Sequence, residues 1–151
     1  MTRELGFQDV AAAIERAVPG AVVQSSANLV LVDSDKMTSV AKFLREAPGM
    51  EFDFLTSVSA VDYVDYFEVV YHLLSIKNNE STVIKTRAYS RDYPAVPSVV
   101  NVWQGADFQE REIFDLMGVI FTGHPNLKRI MLWEGFEGHP LRKDYIVVTP
   151  S

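Results

Sequence analysis

Four ionisable side chains, Glu110, Arg111, Glu112 and Asp115, fall within six residues inside the run EREIFDLMGVIF, and two histidine–proline pairs follow at His124-Pro125 and His139-Pro140. Carboxylates with histidines nearby are the raw material of a metal-dependent hydrolase, and a dense alternation of charges is equally the raw material of a docking surface. Protein metal sites draw on fixed spacings, such as two histidines four apart on one helix face. Here His124 and His139 stand 15 positions apart. Each precedes a proline, which biases it toward extended backbone, so each is expected to start a turn or plug a contact. The metal-dependent enzyme, using His124, His139 and the nearby acids, stands as the alternative to docking. No nucleophile elbow, phosphate-binding glycine loop or dinucleotide fingerprint is present.

On a helix the charges separate. Asp107, Arg111 and Asp115 are spaced i, i+4, i+8, so Arg111 can reach either acid along one face. Glu110 instead falls in the apolar stripe with Ala106, Ile113 and Phe114, where an unpaired carboxylate is costly to bury. It either snorkels to water at the edge of the stripe or meets a donor supplied by the tail or another subunit. Trp133, Phe136 and Tyr145 interleave with Arg129, Arg142 and Lys143. That pattern suits a nucleic acid or the centre of a protein interface. The net charge of −6 favours the interface, because it repels phosphate backbones.

The charge is uneven. Lys128, Arg129, Arg142 and Lys143 outnumber the acids near the C-terminal end, whereas Glu51 to Glu68 carries five acids and no base. An acidic body with a basic tail suits a tail that meets a specific acidic surface. The sequence has no cysteine, which removes disulfides, thiolate zinc sites and cysteine-held iron–sulfur clusters together. The N-terminal residues lack the pattern of a signal peptide, and the longest apolar runs, such as Leu29 to Val32 and Ile146 to Val148, fall far short of the roughly 20 residues that span a bilayer.

The elements that must position these residues follow from periodicity. Phe7, Val10, Ile14 and Val18 predict a first amphipathic helix ended by Pro19-Gly20. Residues 21 to 25 and 28 to 33 read as a hairpin, and a second helix starts after the capping run Asp33-Ser34-Asp35, with Met37, Val40, Ala41 and Leu44 inward. Phe52 to Ala60, Phe67 to Leu74 and Thr82 to Tyr89 predict three strands, the middle one covered on both faces, with His72 packed or at an edge. Ser90 to Pro97, with two prolines, reads as a loop. From Val99 to Met117 the period returns to 3.6, as one long helix or two short ones about Gly105, with Gly118 at a left-handed C-cap. Helices and strands are thus expected over 1–121, followed by an extended C-terminal tail over 122–151.

Two ordered strings carry a resemblance. Glu110-Arg111-Glu112, then Asp115-Leu116-Met117, His124 after six residues and Lys128-Arg129-Ile130-Met131, followed by Gly138-His139-Pro140-Leu141-Arg142-Lys143-Asp144-Tyr145, resemble the characteristic blocks of the respiratory complex I 30 kDa subunit family, the C subunit of NADH-quinone oxidoreductase. Many members have tryptophan at the positions of Phe108 and Phe136, and proline at that of Ile146. The run Ala106 to Glu112 and the ending Lys143 to Ile146 are also similar to photosynthetic relatives that take electrons from ferredoxin.

The resemblance implies an α+β fold, a two-layer domain with a mixed β-sheet packed by helices over 1–121 and an extended C-terminal docking tail over 122–151. It further implies a non-catalytic subunit in the peripheral arm of a proton-pumping quinone reductase, docked beside the quinone-site (49 kDa-type) subunit and other peripheral-arm subunits. It implies enzyme activity only as part of the complex, with iron–sulfur clusters, flavin and quinone on partner subunits and no cofactor in this chain. Membrane contact would come through the complex alone, peripherally on the cytoplasmic side. The equivalent subunit of a membrane-bound hydrogenase is the related alternative. Glu110, Arg111, Glu112, Asp115, His124, Lys128, Arg129, His139, Arg142, Lys143, Asp144 and Tyr145 are the expected docking residues, and charge reversal at Arg142 or Lys143 is expected to leave the domain folded.

Overall fold

The computed structural model describes residues 1–132 and 136–146. Its centre is an antiparallel meander of three nine-residue strands, β4 (Phe54–Asp62), β5 (Phe67–Ser75) and β6 (Glu80–Ala88). Ahead of it run β1 (Arg3–Glu4), helix α1 (Phe7–Ala17), the hairpin β2 (Val22–Ser26) and β3 (Leu29–Val32), and helix α2 (Met37–Glu46). After it come β7 (Ala95–Pro97), helix α3 (Ala106–Met117) and β8 (Ile120–Thr122).

The main sheet has six strands in the order β2-β3-β6-β5-β4, and β1 shares the β3 side of β6, pairing at Glu80 and Ser81 while β3 pairs at Lys85 and Thr86. Both of those pairings are parallel, so the sheet is mixed, and with the helices laid on it the two-layer α+β expectation holds. Along β5 the side chains Phe67, Val69, Tyr71 and Leu73 are buried and meet Val10 and Ile14 of α1 and Met37, Val40 and Leu44 of α2 in one core. Trp103 closes its end, donating its indole N–H to the Phe52 carbonyl at 2.8 Å. The outward face of β5 alternates Glu68, Val70, His72 and Leu74; Glu68 is buried beneath Lys85 and Arg87, and His72 is exposed.

Both N-terminal helices follow their apolar spacing. The Asp33 carboxylate caps the turn ahead of α2 by accepting from the Asp35 N–H at 3.0 Å. The segment read as a loop, Ser90 to Pro97, instead ends in β7, which pairs in parallel with β8. Two prolines conceal it, yet a strand with a single partner leaves one edge free, where a missing N–H is tolerated. Residues 99 to 105 form turns, so the 3.6-period stretch yields one helix that begins after Gly105. Gly118 adopts φ +77° as the left-handed C-cap, and its N–H bonds the Phe114 carbonyl at 2.9 Å. Strand β8 then carries the chain past position 121 into the C-terminal segment.

Candidate functional site

Helix α3 turns Ala106, Glu110, Ile113 and Met117 into the core. Glu110 is 0% exposed. Its Oε1 accepts from the Ser98 hydroxyl at 2.5 Å and its Oε2 from the Val99 N–H at 2.9 Å. Of the two expectations for this residue, snorkelling to water is therefore wrong: a donor is met, and it comes from the same chain, in the turn that joins β7 to α3. Burial pushes the carboxyl above the ordinary glutamate value of 4.5, against the Ser98 and Val99 donors, which favour the anion. Nearby Tyr71 is fully buried with no hydrogen-bond partner for its hydroxyl among the described residues. Burial first, and then the Glu110 charge, push that hydroxyl well above the ordinary tyrosine range.

Asp115, one turn further on and also 0% exposed, organises the start of the basic segment. Its Oδ2 accepts from the consecutive N–H groups of Ile130, Met131 and Leu132 at 3.1, 2.7 and 2.9 Å. Successive N–H groups converging this way form a concave nest for an anion. Its Oδ1 lies 2.8 Å from Arg129 Nε. Burial opposes the charge, but the three N–H groups and Arg129 outweigh it and hold the carboxyl below the usual aspartate value. Arg129 reaches on to the carbonyls of Phe136 and Gly138, with its guanidinium 5.5 Å from the Phe136 ring centre. His139 Nδ1 lies 2.8 Å from the Asp115 carbonyl, and the ring sits so close to Gly118 that a Cβ there would come within 2.7 Å of it.

Arg111 does not bridge the two acids along its helix face. Its Nε donates to the Lys128 carbonyl at 3.3 Å and its guanidinium lies over Phe108, because both acids have other partners. Asp115 has Arg129, and Asp107 has His124, whose Nε2 is 3.0 Å from Asp107 Oδ1 and 3.2 Å from its carbonyl. His124 Nδ1 accepts from the Asn126 N–H at 3.0 Å, so this buried ring closes a turn. Glu112 and the Lys128 side chain are exposed.

The second block folds onto the meander. Arg142 forks onto Asp144 at 2.7 and 2.8 Å, donates to the Arg91 carbonyl at 2.8 Å and covers the Phe67 ring. Arg91 bridges Asp144 at 2.9 Å and Asp62 at 2.6 and 3.1 Å. Lys143 donates its backbone N–H to Asp62 Oδ2 at 2.9 Å and leaves its side chain in solvent. Tyr145 packs on Gly138, where φ is +85° and a Cβ would come within 2.8 Å of the ring. Arg142 thus makes contacts with the body of the fold, which its place in an extended tail did not anticipate.

Asp62 and Arg91 escaped the sequence reading because their partners lie far along the chain, as Lys143 does from Asp62 at a separation of 81, and Ser98 because it sits in a turn 12 residues before Glu110 with no periodic signal. Trp133, and residues 147 and 148 of the last apolar run, lie outside the described residues. An open cleft of about 770 Å³ lies between Arg91, the 136–139 segment and Tyr145.

The histidines do not converge: His124 serves the N-terminal end of α3 through Asp107, and His139 the C-terminal end through Asp115. Among the described residues no group of three or more histidines, aspartates and glutamates is placed to hold a metal ion. Each acid expected to do chemistry, apart from the exposed Glu112, is engaged in fixing backbone.

Residues 30–151 match the family described as respiratory-chain NADH dehydrogenase, 30 Kd subunit. The NADH-quinone oxidoreductase C subunit of Roseiflexus castenholzii is 44% identical over 142 residues, covering 89% of this chain and 81% of its own. The C subunit of the same enzyme from Azorhizobium caulinodans is 43% identical over 146 residues, covering 92% and 68%. Among solved structures, a chain of the membrane-bound sulfane sulfur reductase, an archaeal respiratory membrane complex, is similar with a TM-score of 0.70 at 25% identity, over 93% of this chain and 86% of that one. With the family match running through both charged blocks and most of the sheet, the chain belongs to the respiratory complex I 30 kDa subunit family.

Proposed function

We propose that this chain is a non-catalytic structural subunit in the peripheral arm of a proton-pumping NADH-quinone oxidoreductase. It docks beside the quinone-site, 49 kDa-type subunit on the cytoplasmic side of the membrane. The observation that carries the reading is the division of labour in the C-terminal segment. Arg129, His139 and Arg142 hold backbone in place, while Met131, Leu141 and Ile146, interspersed with the basic residues along the sequence, are left 60%, 59% and 78% exposed. Exposed apolar side chains interspersed with charged ones are what a protein partner covers. Electrons would pass through cofactors on partner subunits, with this chain fixing their relative positions. No helix among the described residues is long and apolar enough to cross a membrane, so contact with the bilayer through the complex fits the reading.

A second reading is the equivalent subunit of a related membrane complex with another electron donor or acceptor, favoured by the likeness to the sulfane sulfur reductase chain. The identities of 44% against 25% favour the first. The test is purification of the tagged chain from its native membranes with identification of the co-purifying subunits and assay of NADH-quinone reduction. Recovery with a quinone-site subunit and NADH-dependent quinone reduction supports the proposal. Recovery with hydrogenase or sulfur-reducing subunits selects the second reading, and recovery as a free monomer refutes both.

A further inference from the structure

The carboxylate of Asp62 joins two parts of the molecule that the sequence keeps apart. It is 3% exposed at the end of β4. Its Oδ1 accepts from the Val64 N–H at 2.8 Å, inside the β4–β5 turn, while its Oδ2 accepts from the Lys143 N–H at 2.9 Å, inside the C-terminal segment. Arg91 clamps both oxygens and extends to Asp144.

The turn it holds is strained. Val64 has φ +73°, and the Asp65 N–H bonds back to the Tyr63 carbonyl at 2.9 Å, so a β-branched residue occupies the centre of a three-residue turn with positive φ. That turn form is rare, and a β-branched residue is among those least suited to it. Strain of this kind persists only where surrounding contacts over-determine it. The Asp62–Val64 bond is such a contact, and Tyr63 N–H to the Tyr66 carbonyl at 2.9 Å is another. The turn carries an aromatic cluster: Tyr63 and Tyr66 lie 5.4 Å apart between ring centres, Tyr66 and Tyr89 5.7 Å, and Arg87 stacks 4.1 Å over Tyr66. Tyr63 and Tyr89 are exposed.

We propose that Asp62 couples the seating of residues 142–145 to the conformation of the β4–β5 turn, so that the C-terminal segment and the tyrosine cluster are ordered together. When the segment leaves, Asp62 loses the Lys143 N–H and Arg91 loses Asp144. The carboxylate then gains water and rotational freedom, and its hold on the strained turn weakens. By reciprocity, a turn that relaxes away from Asp62 loosens the segment by the same factor.

The test is amide hydrogen exchange of the full-length chain, resolved by residue. Arg142→Ala unseats the segment without touching Asp62, and should speed exchange at the Val64 amide at least about ten-fold while leaving the core amides of Tyr71 and Ile84 unchanged. Asp144→Asn, a milder change, should move the Val64 amide in the same direction by less. Val64→Gly removes the strain, so exchange at position 64 in the double variant Val64→Gly/Arg142→Ala should stay within about two-fold of Val64→Gly alone. Unchanged exchange at Val64 in both Arg142→Ala and Asp144→Asn, with residues 142–145 loosened, overturns the proposal. So does a double variant that exchanges well beyond about two-fold faster than Val64→Gly alone. Should Arg142→Ala speed the Tyr71 and Ile84 amides too, Asp144→Asn decides between the outcomes.

Discussion

Glu110 offers the sharpest perturbation, because its two oxygens perform separable tasks: one accepts from the Ser98 hydroxyl, the other from the buried Val99 N–H. Glu110→Ala leaves that N–H without an acceptor in a site closed to water, a loss of about 1–3 kcal/mol. The vacated side-chain volume adds about 1 kcal/mol through lost packing. The expected total is about 2–4 kcal/mol. Glu110→Gln keeps an acceptor for Val99 and places an NH2 donor toward Ser98, so it should fall within about 1 kcal/mol of the parent.

The pH dependence adds a second axis. Burial raises the folded-state pKa of Glu110, so the folded chain holds that proton more tightly than the unfolded chain. The associated stability is fully present below the ordinary value of 4.5 and is lost as pH rises through the folded-state value. Glutamine carries no such proton, and the parent should therefore lose ground to Glu110→Gln as pH is raised from 4.5 toward neutrality. Urea midpoints at a series of pH values read both effects. A glutamine variant as damaged as the alanine variant, or a parent-to-glutamine difference flat across that range, refutes the reasoning.

Gly118→Ala should destabilise by more than about 1–2 kcal/mol, the ordinary penalty for a left-handed residue, because the new methyl also meets His139. Gly123→Ala, at φ +82° in open surroundings, should show the strain alone, and the gap between their urea midpoints measures the histidine contact. Asp62, whose burial is outweighed by Arg91 and the Lys143 and Val64 N–H groups, has its carboxyl lowered from 3.8 to about 2. Its contribution, about 2 kcal/mol, is present above about pH 4 and lost as pH falls toward about 2, so Asp62→Asn should flatten the acid limb of a circular-dichroism titration. Lys143→Glu should leave the isolated chain within about 0.5 kcal/mol of the parent while lowering the yield of assembled complex, because only its backbone is used in the fold. Equal loss of thermal stability would place that side chain in the fold.

Local signals reached most of the architecture. The apolar spacing of α1 and α2, the Asp33 cap and the alternation along β5 all express periods that neighbouring residues carry among themselves. Strands β1 and β7 were hidden for different reasons: β1 is two exposed residues ordered by pairing with Glu80 and Ser81, and β7 is short, follows Pro94 and ends on Pro97. At the site, the identity of the charged residues was legible and their partners were not. Asp107, Arg111 and Asp115 satisfy the helix-face spacing, yet the nest at 130–132 and the ring of His124 offer the two acids better geometry than Arg111 does. Glu110 stood out as the misfit in an apolar stripe, and only the fold could supply Ser98 and Val99 as its donors.

The meander β4–β5–β6 has consequences for the order in which the chain folds. Its strands pair with their immediate neighbours in sequence, so closing those loops is entropically inexpensive and early. Segments on either side then attach to it over long separations: Arg3 beside Glu80, and Lys143 on Asp62. During synthesis β1 is made before the meander but has no edge to join until β6 has left the ribosome, and the C-terminal segment emerges onto a finished platform. The residues that seat this segment would thus act as a completion signal. A chain released short of position 141 would retain its sheet and lack the surface offered by Leu141 and Ile146, leaving an intermediate that is folded at its centre and unable to join a partner.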